Sequence, residues 1–313
     1  MKDRLVIVIG GGGFLGRYVT QELLKAGARI RIAQRDPREA LFLKPLGGLG
    51  QIQFVAADVG KPETIARAVA GADAVVNLAG SFSNLEAVLV TGARTVAQAA
   101  AAAGVASLVH VSAIGADPES PAAYGRAKAA GEAAVQAAFP AATILRPSII
   151  FGREDQFVNR FAAMISALSS VPFAPVPVLR AGTRFQPVYV TDVAQAVVAA
   201  LADPGAAGKL FELGGPDVLS MGALIRWVAQ AIGRDPAILE FPDAVGGLIA
   251  FGGFLPGAPI TRDQWRMLAR DTVVTGTDGL TALGVTPTPM DAVAPAWLVR
   301  YRRHGRFGRR AAA

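Results

Sequence analysis

The chain has 313 residues, of which 52% are hydrophobic and 18% are charged, so it is long enough for a large core and unlike a disordered protein. It has no cysteine and two histidines, which excludes disulfides and thiolate metal sites, and we expect no metal. The net charge is +7, but no nucleic-acid-binding motif accompanies the basic residues and we expect no nucleic acid partner.

Short apolar runs alternate with alanine-rich helical segments from residue 4 to about residue 147. Runs such as RLVIVI and SLVHVS are apolar throughout, which is typical of strands covered on both faces. The alternation predicts a Rossmann-type doubly wound parallel sheet, an α/β fold with helices on both faces.

The sequence pattern changes after residue 150, where prolines become frequent and strand-like runs become isolated. We predict a nucleotide-binding Rossmann domain over 1–150, to which 187–203 returns. The remaining segments, 151–186 and 204–313, are predicted to form a smaller C-terminal α+β lobe for a substrate or partner.

Glycines follow the first predicted strand directly. Gly10, Gly13 and Gly16 have the spacing G-x-x-G-x-x-G, with Phe14 and Leu15 at the start of the next helix. Such glycines allow a tight turn and the close approach of a pyrophosphate to the N-terminus of the helix. In this strand-turn-helix context the motif predicts dinucleotide binding.

The second strand ends in RIAQRDP, where an NAD-binding protein usually has an acidic residue. Arg35 stands there instead, and a guanidinium can hold the 2′-phosphate of NADP(H). Asp36 is the competing ribose acceptor. We expect NADP(H), with NAD(H) as the alternative.

Ligands of such sheets lie beyond the carboxyl ends of the strands, so residues there are further candidates. Asp58 could accept a hydrogen bond from the adenine amino group or cap the next helix, and both roles remain open. The candidates at these strand ends are Asp58, Val59, Ala79, Gly80, Ser112, Pro147 and Ile150.

Tyr124 and Lys128 are four residues apart in an alanine-rich helical segment, which puts them on one face of the helix. An adjacent ammonium favours the phenolate form of a tyrosine, so the pair suits proton transfer and cofactor contact. The alternative is a partly buried aromatic residue beside a solvated lysine.

Several motifs together resemble the extended and atypical short-chain dehydrogenase/reductase family, namely GGGGFLG, AADV, NLAG, VSAIG, YGRAK and RPSIIFG. The resemblance implies that Tyr124 is the general acid/base and that Lys128 lowers its pKa and binds the nicotinamide ribose. It also implies that Ser112 aligns the substrate carbonyl.

A narrower resemblance, carried best by GREDQFVNRF after the sixth strand, is to the NADPH-binding accessory subunits of respiratory complex I (subunit 9 of the alpha subcomplex) and their bacterial relatives. It implies tightly held NADPH in a structural role, or a role in quinone metabolism such as ubiquinone biosynthesis, with either assembly as partner. The alternative function is a soluble NADP-dependent oxidoreductase or epimerase that uses Tyr124 and Lys128 on a hydroxy/keto substrate. Whether the chain turns over a substrate is left open.

The opening MKDRLVIVIGGGG is typical of a strand rather than a signal peptide, so we expect a cytoplasmic protein. The apolar segment 242–259 is broken by glycines and prolines, and the tail from 301 is basic. Both suit peripheral contact with the inner face of the plasma membrane; the alternatives are a lobe core and a solvated terminus.

Overall fold

A computed structural model describes residues 1–169, 174–252, 260–303 and 305 of the chain. These form two compact units. The first comprises Met1–Pro147, Val190–Leu213 and Val274–Thr286. The second comprises the described residues of Ser148–Tyr189 and Gly214–Val273 and those from Pro287 onward.

A seven-stranded sheet forms the centre of the first unit, and its strands are ordered β11-β6-β5-β4-β1-β2-β3. Every neighbouring pair is parallel, so the predicted Rossmann-type fold is confirmed. The strands are β1 (Leu5–Ile9), β2 (Arg29–Gln34), β3 (Ile52–Ala56), β4 (Ala74–Asn77), β5 (Ser107–Val111), β6 (Thr143–Pro147) and β11 (Leu210–Leu213).

Helices cover this sheet. They are α1 (Phe14–Lys25), α2 (Pro62–Val69), α3 (Ala93–Ala102), α4 (Ala123–Ala138), α6 (Val190–Ala202) and α10 (Gly279–Ala282), with 3₁₀ turns over Pro37–Leu46 and Pro204–Ala206. A π-helical segment, Glu86–Gly92, runs directly into α3. In the packed layers α1 lies against α6, and α3 lies against α4.

Burial explains why the strand sequences are apolar throughout. Val6, Ile7 and Val8 of β1 are each 0% exposed, since helices cover both faces of the sheet. On α3, Ala97 and Ala100 are buried in the same core as Ile7. Their small side chains let the helix lie close to the strands.

The segment boundaries differ from the sequence analysis. Residues 204–213 and 274–286, assigned there to the smaller lobe, belong to the first unit. The reason is that β11 pairs with β6 as the seventh strand and α10 packs on β11. Of the segment 187–203 that was predicted to return, 190–203 lie in the first unit, mostly as helix α6, and 187–189 belong to the second unit.

The second unit is built from short strand pairs and helices around its own core, which includes Phe151, Ile165 and Leu224. The strand pairs are β7 (Ile150–Phe151) with β10 (Val188–Tyr189), β8 (Val176–Leu179) with β13 (Ile238–Phe241), and β9 (Arg184–Phe185) with β12 (Leu219–Ser220). Its helices are α5 (Val158–Leu168), α7 (Met221–Ala231), α8 (Asp243–Phe251), α9 (Arg262–Met267), α11 (Met290–Val293) and α12 (Pro295–Leu298), followed by a 3₁₀ turn over Val299–Tyr301.

The described helices include none that is long and apolar enough to cross a membrane. Helix α8, which opens the segment 242–259, has nine residues.

Candidate functional site

The glycine loop turns the chain from β1 into α1. Gly10 has φ +77°, a left-handed conformation that favours glycine, and its N–H donates to the carbonyl of Ala33 at 2.8 Å. Gly13 is the N-cap of α1, and within the described chain no side chain caps this helix. The first N–H groups of α1 and the positive end of its dipole therefore suit an anion such as a pyrophosphate.

Gly16 brings the helix close to the loop. A Cβ on Gly16 would lie 2.6 Å from both the carbonyl carbon and the Cα of Gly11, a distance that real Cβ atoms do not adopt. Phe14 and Leu15 form the first turn of α1 between Gly13 and Gly16. The loop is thus shaped by glycine at the turn and at the close approach, as the spacing predicts.

The end of β2 is tied to the glycine loop through Gln34. Its Oε1 accepts the N–H of Gly12 at 2.8 Å, and its Nε2 donates to the carbonyl of Asp36 at 2.7 Å. Arg35, between these two residues, is exposed. Sequence analysis noted Gln34 only as a residue that is not acidic, and its bridging role depends on the loop geometry.

Asp36 is engaged by its own neighbourhood. Its carboxylate accepts the Nε of Arg38 at 3.0 Å and the Nη2 at 2.7 Å, and it also caps the 3₁₀ turn through the N–H of Arg38. Hydrogen bonds from Arg38 lower the pKa of Asp36 to about 2. This engagement leaves Arg35 as the better placed group for a ligand at the end of β2.

Asp58 forms a turn contact after β3. Its Oδ1 accepts the N–H of Gly60 at 2.9 Å, and its carbonyl accepts the hydroxyl of Thr64 at 3.1 Å. The side chain of Asp58 does not cap α2, whose N-cap is Lys61 without a side-chain hydrogen bond. The capping alternative is therefore wrong, while contact with adenine stays a prediction. Val59 packs beside Gly92, where an added Cβ would lie 2.9 Å from the Cβ of Val59.

A buried polar pair fixes the end of β4. Asn77 is 1% exposed and His110 is 3% exposed, and their Nδ2 and Nδ1 atoms are 3.1 Å apart. The Oδ1 of Asn77 accepts the N–H of Ala79 at 3.1 Å, so the amide orients the backbone that leads into Gly80. Sequence analysis missed this pair, although a polar residue in each of two buried strands was a usable signal.

Ser112 and Lys128 meet at the end of β5. The Nζ of Lys128 donates to the carbonyl of Val111 at 3.2 Å, directly before Ser112. The Oγ of Ser112 is buried and has no hydrogen-bond partner within the described residues. Because buried hydroxyls are normally satisfied, this oxygen is a fitting contact for a bound ligand.

Tyr124 lies over Lys128, whose Nζ is 5.8 Å from the centre of the phenol ring. Although Tyr124 as a whole is half-buried, burial around it raises the pKa of the phenol to about 12. Burial also lowers the pKa of the Lys128 ammonium to about 8, against the charge of Glu132. Burial of both groups thus opposes the phenolate form that Lys128 was expected to favour, and the roles of Tyr124 and Lys128 stay predictions.

Phe82 covers Tyr124. Their rings are stacked, with centroids 4.9 Å apart and planes 20° apart. Phe82 is 71% exposed and follows Gly80 in the loop after β4. No motif singled out Phe82, because its role comes from where the loop lies in space.

Glu132 and Arg146 form an ion pair. Arg146 donates from Nε and Nη2 to the two carboxylate oxygens of Glu132, at 2.9 and 2.6 Å. Arg146 is followed by Pro147, whose carbonyl accepts the N–H of Ile114 at 3.0 Å. Ile150 begins β7 of the second unit and pairs with Val188, so its contact with a cofactor remains a prediction.

The parallel sheet, glycine loop and Tyr124–Lys128 pair define the class of protein. The chain belongs to the NAD dependent epimerase/dehydratase family, whose sequence model matches residues 6–214.

More particularly, the chain is similar to "NADH dehydrogenase (ubiquinone) 1 alpha subcomplex subunit 9, mitochondrial" of Mus musculus. The two are 36% identical over 311 residues, which cover 95% of this chain and 80% of the mouse protein. The resemblance to complex I accessory subunits is thereby confirmed.

Two other proteins are similar to this chain. "Ceramide reductase" of Caulobacter vibrioides is 31% identical over 281 residues, covering 87% of this chain and 81% of that protein. The structure of an NADPH-dependent quinone oxidoreductase from Escherichia coli, complexed with NADPH, has a TM-score of 0.76 at 20% identity and covers 94% of this chain and 99% of its own. That likeness concerns the fold.

A nicotinamide dinucleotide fits the residues present. The glycine loop provides uncapped helix N–H groups, and Ser112 provides a buried hydroxyl that lacks a partner in the described chain. With the family shown, the chain is an NAD(P)-binding protein of the short-chain dehydrogenase/reductase type.

Proposed function

We propose that the chain holds NADPH as an accessory subunit of the complex I type, with a structural role or a role in quinone metabolism. The carrying observation is the 36% identity to the mouse subunit over 95% of this chain. The surroundings of Tyr124 agree with it, because its ring is stacked against Phe82 and burial raises the pKa of its phenol to about 12. A general acid/base works best with a pKa near the operating pH, so a covered phenol that keeps its proton suits a retained cofactor better than rapid turnover.

NADPH rather than NADH is proposed from the end of β2. Arg35 is exposed there, and Asp36, the competing ribose acceptor, is held by Arg38. Arg35 would bind the 2′-phosphate, while the first turn of α1 would bind the pyrophosphate. A bound nicotinamide supplies hydride chemistry, and Ser112 would hold an oxygen beside it.

Partnership with a respiratory assembly is proposed from the mouse relative, whose name makes it a subunit of NADH dehydrogenase. The test is purification of the natively expressed chain without added nucleotide. We expect NADPH in an alkaline extract and co-migration with complex I in gently solubilised membranes. Loss of both would overturn the proposal, and retained NADPH without complex I would favour a separate quinone-metabolism assembly.

The second candidate is a soluble NADP-dependent oxidoreductase or epimerase acting on a hydroxy/keto substrate. The unpartnered hydroxyl of Ser112 favours it, as does the relative called a ceramide reductase. NADPH consumption with quinones, ketones and nucleotide sugars, compared between wild type and Tyr124→Phe, separates the two functions. Turnover that disappears in Tyr124→Phe would support the enzyme and contradict a purely structural role.

Membrane contact is proposed for α8. Leu248 is 75% exposed and Phe251 is 58% exposed, and the guanidinium of Arg262 lies 3.9 Å from the centre of the Phe251 ring. An apolar helix face edged by arginine suits the interface of an anionic bilayer. Residues 253–259 and most of the basic tail from 301 lie outside the described residues.

Vesicle flotation tests this contact and, with it, the assignment to the inner face of the plasma membrane. Wild type should float with anionic vesicles more than with neutral ones, and Leu248→Ser with Phe251→Ser should reduce this. Leu49→Ser is the control, since Leu49 is also fully exposed but lies in the first unit. A chain ending at Arg300 tests the tail, and equal flotation of all variants would exclude α8 as the contact.

A further inference from the structure

The loop Ser81–Asn84 carries Phe82 over Tyr124 in a defined conformation. The Oγ of Ser81 accepts the N–H of Ser83 at 3.2 Å and the N–H of Asn84 at 3.1 Å. Local hydrogen bonds of this kind hold a turn without help from the sheet. The position of Phe82 is therefore built into the loop.

The stacked ring of Phe82 lies on one face of the phenol ring, and an apolar cluster also contacts the tyrosine. Leu89, Val90 and Ala127 form a buried cluster against which Tyr124 packs. Phe82 differs from them because it is 71% exposed. It is thus the wall of this cluster that can move with least disturbance to the fold.

An exposed aromatic ring leaves much apolar surface in water, whereas a stacked aromatic pair gains stabilisation beyond the area it buries. The contact with Tyr124 offsets the exposure of Phe82 on one face only. The outer face of Phe82 remains apolar and flat, so a group that reaches the phenol must displace this ring or lie against it.

We propose that Phe82 is a positioning residue that covers Tyr124, fixes the orientation of its ring and controls the access of water and substrate to its hydroxyl. The proposal rests on the proposed function in taking Tyr124 as the proton-holding group beside the nicotinamide.

The shielding of Tyr124 by Phe82 can be tested by nitration of Tyr124 with tetranitromethane. The rate is measured by peptide mass spectrometry over a range of pH. Because the reagent attacks phenolate, both exposure and the pKa contribute. We expect Phe82→Ala to raise the nitration rate between about twofold and tenfold and to move the pH midpoint downwards. Phe82→Tyr keeps a stacked ring and should behave as wild type.

Leu49→Ala is the matched control, because Leu49 is a fully exposed apolar residue of the same unit. Equal nitration of wild type and Phe82→Ala, or an equal rise in Leu49→Ala, would overturn the proposal. NADPH content is measured on the same preparations. If the chain lacks NADPH but nitration of Tyr124 still rises in Phe82→Ala, the proposed function is contradicted and the role proposed for Phe82 is supported.

Discussion

Asn77 donates a hydrogen bond from its Nδ2 to the Nδ1 of His110 over 3.1 Å, and both side chains are almost completely buried. The amide orientation is fixed because the Oδ1 of Asn77 accepts the N–H of Ala79. His110 is therefore an acceptor at Nδ1, carries its proton on Nε2 and is neutral. Burial, and then the charge of Lys128, lower the pKa of His110 to about 3.

This pair predicts an acid-sensitive fold. The pKa of His110 is lower in the folded state than its ordinary value of 6.5, so the unfolded chain binds more protons below pH 6.5 and stability falls as the pH falls towards 3. Between pH 7 and pH 5, His110 should remove about 2 kcal/mol from the free energy of unfolding. Urea unfolding of wild type and His110→Asn at both pH values measures this, and an equal loss in both would contradict it.

Arg35 should determine the choice of cofactor. Arg35→Ala removes a charge-assisted hydrogen bond to a 2′-phosphate, so NADPH affinity should fall by roughly tenfold or more while NADH affinity stays constant. Titration with each nucleotide measures the two dissociation constants. Arg67→Ala is the control, because Arg67 is an exposed arginine in the last turn of α2; the same selective loss in that variant would refute the role of Arg35.

Gly16 should tolerate no side chain. Its Cβ would lie 2.6 Å from backbone atoms of Gly11, and such overpacking costs about 1–3 kcal/mol. Gly16→Ala should lose stability in thermal unfolding and also dinucleotide affinity. In Gly48→Ala the Cβ would meet only the side chain of Gln51, at 3.6 Å, so this control should leave binding unchanged. A Gly16→Ala protein that binds normally would show that the loop can move.

The Glu132–Arg146 ion pair should affect both the stability of the fold and the pKa of Lys128. The side chain of Glu132 is 7% exposed and that of Arg146 is 22% exposed, so Glu132→Gln leaves a largely buried guanidinium unpaired and should cost about 3 kcal/mol. It should also lower the pKa of Lys128 further, because Glu132 raises it in wild type. Unfolding of Glu132→Gln, Arg146→Met and the double variant gives the coupling energy. A value near zero would mean that the pair is not coupled.

The sequence was sufficient for the first six strands, because runs such as LVIVI are apolar throughout, which is typical of a strand covered on both faces. The seventh strand, β11, was missed since KLFEL is short, begins and ends near glycines and lies far along the chain from its neighbour β6. Its pairing is a long-range choice, which local patterns do not encode.

The site divides in the same way. Gly10, Gly16, Tyr124 and Lys128 belong to motifs whose spacing carries their geometry. The protonation and exposure of these groups depend on the residues around them. Burial raises the pKa of Tyr124, and the ring stacked on Tyr124 is that of Phe82, which belongs to no motif. Neither the raised pKa of Tyr124 nor the position of Phe82 can be predicted from composition or motif spacing.

The nucleotide-binding unit is assembled from three separate stretches of the chain, the last of which ends at Thr286. During synthesis the sheet can therefore gain its seventh strand only after β11 has left the ribosome, and the helix that covers that strand follows later still. A fragment cut at the end of β6 would present an unpaired strand edge, which invites aggregation. To express this unit alone, its three stretches would therefore have to be joined, because truncation of the gene would remove one or more of them.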